Sequence, residues 1–179
     1  MNFTSNVLIL PGLGNSGENH WQSLWEKEYP DFKRVQQNDW ETPVCADWIR
    51  QIDQAVVDED PANVLLVGHS LACATIAYWA QAFQRSIKGA LLVSPSDTEA
   101  DSYPPGTTGF APVPLFKLPF PSIVVASSDD FYVSLERAAL FAQAWGSQLV
   151  NIGAAGHINV HSGYGNWPEG LRLLKELES

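Results

Sequence analysis

Ser70 lies in Gly68-His69-Ser70-Leu71-Ala72, directly after the apolar run 64–67 and before a long apolar stretch that reads as helix. A G-x-S-x-G pattern at a strand–turn–helix junction sets its serine on a sharp, strained turn with the hydroxyl clear of the sheet. Residues on either side must be small because strand and helix converge there, and Ala72 meets that need with one methyl more than glycine. The following helix directs positive dipole at the turn, and its first N–H, that of Leu71, is free to donate to a developing oxyanion. A serine at a helix start more often caps the helix; the strand before it and the helix after it favour a nucleophile. His69 reads as packing.

A serine needs a base within hydrogen-bond reach and a third group to orient that base. In hydrolases with a strand–serine–helix turn, the chain order is Ser, then Asp or Glu, then His. Here the apolar run 123–126 leads into Ser127-Ser128-Asp129-Asp130, and the run 148–152 leads into Gly153-Ala154-Ala155-Gly156-His157. Both segments follow strand C-terminal ends, which in a parallel sheet share one edge. His157 is therefore the candidate base, with His161 in reserve. Asp129 and Asp130 both qualify as the acid; spacing leans to Asp130, and either one has the type expected of a cap for the helix that begins near Ser134.

The loop Pro11-Gly12-Leu13-Gly14-Asn15-Ser16-Gly17 follows the first strand and is placed to supply a second oxyanion donor, the Leu13 N–H. It also satisfies G-x-G-x-x-G, the pattern of a phosphate-cradling turn. No acidic residue ends a second strand about twenty residues on, as dinucleotide binding requires, and such a ligand would leave Ser70 unexplained. His157 and His161 have metal-ligand spacing, but their surroundings are too rich in glycine for a helix and Ile158 stands where a zinc protease needs glutamate. No metal is expected. His20 reads as a structural histidine, with a ligand or substrate contact as the alternative.

These residues need a scaffold, and the chain supplies alternating strand and helix signals. Strands are predicted at 7–10, 32–36 (weak), 64–67, 87–93, 122–126 and 148–152, and helices at 19–28, 44–57, 70–84, 135–145 and 168–177. The result is a compact α/β fold: one domain over 1–179, a six-stranded, mostly parallel sheet with helices on both faces, and no cap domain. Residues 94–119 are irregular and hold six prolines, which disfavours regular structure there.

A net charge of −10 with scattered basic residues excludes nucleic acid and anionic membrane surfaces as partners. The apolar run at residues 7–10 is too short for a signal peptide or a membrane span. Two cysteines, Cys45 and Cys73, make no disulfide framework and suit a cytoplasmic protein.

The motifs together resemble the small serine hydrolases related to retinoblastoma-binding protein nine, in their bacterial branch. The likeness rests on Pro11-Gly12, Gly68-His69-Ser70-Leu71, Ser127-Ser128-Asp129-Asp130, Gly156-His157-Ile158-Asn159 and the tail 162–170, and it spans nearly the whole chain. It implies a lid-less α/β-hydrolase in which Ser70 is nucleophile, His157 base and the second carboxylate, Asp130, the acid. Phe131 departs from the proline that the family places after the acid. The L-x-C-x-E motif of retinoblastoma binding is absent from the sequence. The expected reaction is acyl transfer to water from a small ester, thioester or activated amide, with no cofactor. Tyr103, Phe110, Phe116 and Trp167 are candidates for an acyl pocket. The alternatives are a catalytically vestigial binding module on the same fold, or an acyltransferase or lyase using the same three side chains.

Overall fold

The computed structural model describes residues 1–178. Strands β1 (Asn6–Leu10), β2 (Lys33–Arg34), β3 (Val64–His69), β4 (Gly89–Val93), β5 (Ser122–Ala126) and β6 (Gln148–Asn151) form one sheet of order β2-β1-β3-β4-β5-β6. Every pairing among them is parallel. Helices α1 (Trp21–Glu28), α2 (Cys45–Val57), α3 (Leu71–Phe83) and α4 (Leu135–Trp145) lie in the crossovers other than that from β4 to β5, which holds no helix, and α5 (Pro168–Glu176) closes the described chain.

The twofold alternation of strand side chains divides the core into two layers. Val7, Ile9, Leu65, Val67, Leu91, Val93, Ile123 and Val125 face one way and pack with Trp21 and Trp25 of α1 and Leu171 and Leu174 of α5. Leu8, Leu10, Leu66, Leu92, Val124 and Ala126 face the other way and pack with α2, α3 and α4. The central strands β3, β4 and β5 are buried along their whole length, as the continuous apolar runs require of strands covered on both faces. Among the described residues no cap domain covers the sheet.

Differences from the sequence-based boundaries are local. The weak strand predicted at 32–36 shortens to Lys33–Arg34 at the sheet edge, where each residue has a single partner strand. Strand β3 runs on through His69, because Gly68 and His69 pair with Leu92 and Val93. Helix α1 begins at Trp21, since His20 adopts an extended backbone and serves as its cap. Residues 94–119 carry no helix or strand. Among the described residues no helix is long and apolar enough to cross a membrane. Both cysteines are buried free thiols.

The strand order reverses between β1 and β3. Loops leaving adjacent strands in opposite directions open a crevice at such a point, and ligands of α/β sheets bind there. The crevice lies beside Gly12, after β1, and Ser70, after β3.

Candidate active site

Ser70 adopts φ 60°, ψ −124°, a backbone conformation that a residue with a Cβ rarely enters. Its N–H donates to the Val93 carbonyl at 2.9 Å, which pins the turn to β4. The side chain makes no capping hydrogen bond to α3, so the competing role as a helix cap does not apply. Two glycines make this turn possible. A Cβ on Gly68 would meet Ile76 Cδ1 at 2.8 Å, and one on Gly12 would meet Ser70 Cβ at 2.8 Å and the His69 carbonyl at 2.9 Å. The first glycine of the G-x-G-x-x-G pattern is thus explained by close approach to the serine turn.

The same approach sets the Gly12–Leu13 backbone beside the start of α3, where a Cβ on Gly12 would lie 3.3 Å from the Leu71 nitrogen. Among the described residues neither Leu13 N–H nor Leu71 N–H donates to another protein group. Such paired open amides beside a serine hydroxyl are suited to holding an oxyanion.

His157 Nδ1 lies 2.9 Å from both carboxylate oxygens of Asp130. An ionised carboxylate only accepts, so Nδ1 carries the proton and Nε2 is left as the basic nitrogen. The Asp130 side chain is 0% exposed and that of His157 9%. Asp130 Oδ1 also accepts from the Tyr132 N–H at 2.9 Å, and the Tyr132 ring packs on the imidazole with centroids 4.6 Å apart.

Asp129 does something else. Its Oδ1 accepts from Ser127 Oγ and from the Gly156 N–H, each at 2.7 Å. These bonds hold its carboxyl below the ordinary carboxylate range, the Ser127 hydroxyl contributing most. Neither aspartate caps α4; Ser134 does, accepting from the Arg137 N–H. Phe131 is 74% exposed, and its ring meets that of Tyr132 edge-on with centroids 5.3 Å apart.

His69 does more than pack. Its Nε2 lies 2.9 Å from the His157 carbonyl, which can only accept, so the ring donates and ties the serine turn to the histidine loop. Burial, reinforced by His157 and His20, holds its pKa well below the usual value and keeps the ring neutral. Trp21 Nε1 adds a second anchor, donating to the Ile158 carbonyl at 2.8 Å. Gln22, fully buried, donates to the Leu10 and Val67 carbonyls and accepts from Ser16 Oγ, joining β1, β3 and the glycine loop. Ser96 reaches Ser70 itself: the two hydroxyl oxygens are 2.8 Å apart.

Ser70, His157, Leu13 and Tyr103 line one open cavity of about 410 Å³, together with His20, Ser96, Tyr132 and Asn159. Of the four aromatic residues expected in an acyl pocket, only Tyr103 lies here. Phe110 is buried with Cys45, Trp48 and Leu71; Phe116 packs on the core of the α2–α3–α4 face; Trp167 stacks with Trp25. None of those three lines this cavity: Phe110 and Trp167 are buried in the core, and Phe116 is half-buried against it. His161 lines the cavity but lies in a short 3-10 turn (Val160–Ser162), so it does not share an α-helix with His157. Ser96, Gln22 and the bond made by His69 were not foreseen; each depends on a partner brought close only by the fold.

A parallel sheet with a strained serine at its switch point, and a carboxylate–histidine pair at the same edge, defines a hydrolase of the α/β class. The chain belongs to the serine hydrolase family, whose model matches residues 7–176. It is 32% identical to a YdeN-like hydrolase from Pectobacterium atrosepticum, covering 97% of this chain and 90% of that one with a TM-score of 0.85. The ydeN product of Bacillus subtilis shares the fold at 21% identity (97% and 98% covered, TM-score 0.78). The carboxylesterase CesB of the same organism shares it at 15% identity (96% and 83% covered, TM-score 0.66). No curated protein sequence matches the chain.

Proposed function

We propose that the protein is a carboxylesterase-like hydrolase of small acyl substrates acting through Ser70, His157 and Asp130. The observation that carries this reading is the His157–Asp130 pair, bonded at 2.9 Å, whose imidazole lines the same cavity as Ser70.

In this mechanism His157 Nε2 takes the Ser70 proton as Oγ attacks the substrate carbonyl. Asp130 fixes the tautomer and stabilises the imidazolium that forms. The Leu13 and Leu71 N–H groups hold the oxyanion. His157 then returns the proton to the leaving group, and a water activated by the same nitrogen frees the acid from the acyl-enzyme. Attack first requires Ser70 Oγ to turn from Ser96 towards His157. Lengthening or tightening of such bonds between resting and reacting states is common in hydrolases. The chemistry needs no cofactor. The buried free thiols accord with a cytoplasmic location.

The Ser70–Ser96 bond also favours a second reading, a binding module in which the serine is held idle. A fluorophosphonate probe separates the two. The esterase reading expects covalent labelling of the wild type, no labelling of Ser70→Ala, and a loss of about 10⁶-fold in kcat on p-nitrophenyl esters. A wild type that neither labels nor cleaves leaves the binding module.

A further inference from the structure

His20 is 6% exposed and lines the cavity. Its Nδ1 accepts from the Gln22 N–H, capping α1. A neutral imidazole with an accepting Nδ1 must carry its proton on Nε2. That Nε2 is buried and has no protein partner among the described residues. Burial chiefly, with Arg34 and His157 nearby, lowers the ring's pKa to about 4, so it is neutral at physiological pH. The Tyr103 hydroxyl, on the same cavity wall, is likewise buried without a protein partner among the described residues.

Buried polar groups in native proteins are nearly always bonded, and each exception calls for an explanation, an absent ligand being one. The orphaned pair includes one donor that cannot accept, His20 Nε2–H, and one group that can do either, Tyr103 Oη. Among the described residues no Lys, Arg, Asp or Glu lines the cavity, so a carboxylate or ammonium on the substrate would find no counter-charge from those residue types. A plain alkyl chain would leave both polar groups buried and unbonded.

We infer that His20 is a specificity-determining residue whose Nε2–H donates to an oxygen on the substrate other than the reacting carbonyl. The substrate class is then a short, uncharged ester bearing a hydroxyl or oxo group. The inference rests on the esterase reading above and narrows it. Histidine at this position both starts α1 and keeps a second nitrogen, Nε2, buried without a protein partner among the described residues in a ring that lines the cavity.

The test compares kcat/KM for p-nitrophenyl 3-hydroxybutyrate and p-nitrophenyl butyrate, in the wild type and in His20→Asn. Asparagine is a good helix cap but lacks the distal N–H. The wild type is expected to favour the hydroxylated ester by at least about tenfold, and His20→Asn to lower that ratio by about the same factor. Tyr103→Phe is expected to lower it by a smaller factor. Equal losses on both esters in His20→Asn would mark His20 as an oxyanion donor or a structural residue and overturn the proposal, as would a wild-type preference for butyrate. Labelling of Ser70 without cleavage of either ester also overturns it while leaving the nucleophile intact. Absence of both labelling and cleavage removes the esterase reading itself.

Discussion

The two halves of the site are held in place by different means. The proposed acid and base lie on loops after β5 and β6 that are stitched by side-chain bonds: Asp130 to His157 and Tyr132, Asp129 to Ser127 and Gly156, His69 to the His157 carbonyl. Ser70, the proposed nucleophile, is held by backbone and by crowding. Ser70 is strained, its N–H is fixed to β4, and Gly12 presses on it with no room for a methyl, while Gly68 faces Ile76 and the first turn of α3. The difference has a physical basis. A base must keep one tautomer and one ring plane, which directed bonds enforce. A serine hydroxyl must swing between partners, so its Cα is what has to be fixed.

Mutations that remove directed bonds should therefore damage the base, and mutations that add volume should damage the nucleophile. Among changes to the groups that hold the site in place, the largest expected effect is Asp130→Asn, which keeps the shape but lets His157 adopt the wrong tautomer; kcat on a small ester should fall about 10⁴-fold with little change in KM. Gly12→Ala comes next. Its Cβ would collide with Ser70 Cβ and the His69 carbonyl, and kcat/KM should fall about 100-fold with a stability loss of about 1–3 kcal/mol, read by chemical denaturation. If Gly12→Ala is silent, the nucleophile is not held by crowding.

The smallest effect is expected from Asp129→Ala, which releases Gly156 from the loop after β5 and should lower kcat about tenfold. Its pH dependence sharpens the contrast. The Asp129 carboxyl is held below its ordinary 3.8, mainly by the Ser127 hydroxyl and then by the Gly156 N–H. Its stabilising effect is therefore complete above that ordinary value and lost as pH falls through the lower folded value. Wild type and variant should differ in stability at neutral pH and converge in strong acid, as measured by denaturation at stepped pH.

Much of the scaffold was legible because its strands are short apolar runs between breakers, and β5 and α4 fall on the predicted boundaries. The serine turn was legible because backbone strain, close packing and the oxyanion donors all constrain the same five residues. The chain order of serine, acid and base placed them at one sheet edge. The cavity wall was not legible in this way. An aromatic residue in a loop is equally suited to core or pocket, and Phe110, Phe116 and Trp167 went to the core once the layers above the sheet were filled. His20 looked structural because one of its nitrogens is; only the depth of its burial shows that the other is unmatched. Asp129 and Asp130 are adjacent and identical in type, and what divides them is the direction the chain takes after β5.

The torsion angles at position 70 carry a cost to the folded chain that has nothing to do with binding or turnover. Glycine would relax there, lengthening the protein's survival under heat while erasing its reactivity. A lineage that needed only a durable scaffold would be expected to drift toward glycine at this site. Serine at so uncomfortable a place accords with selection for catalysis over robustness, and the same substitution would offer a stable, inert carrier of the intact cleft for capturing bound substrates.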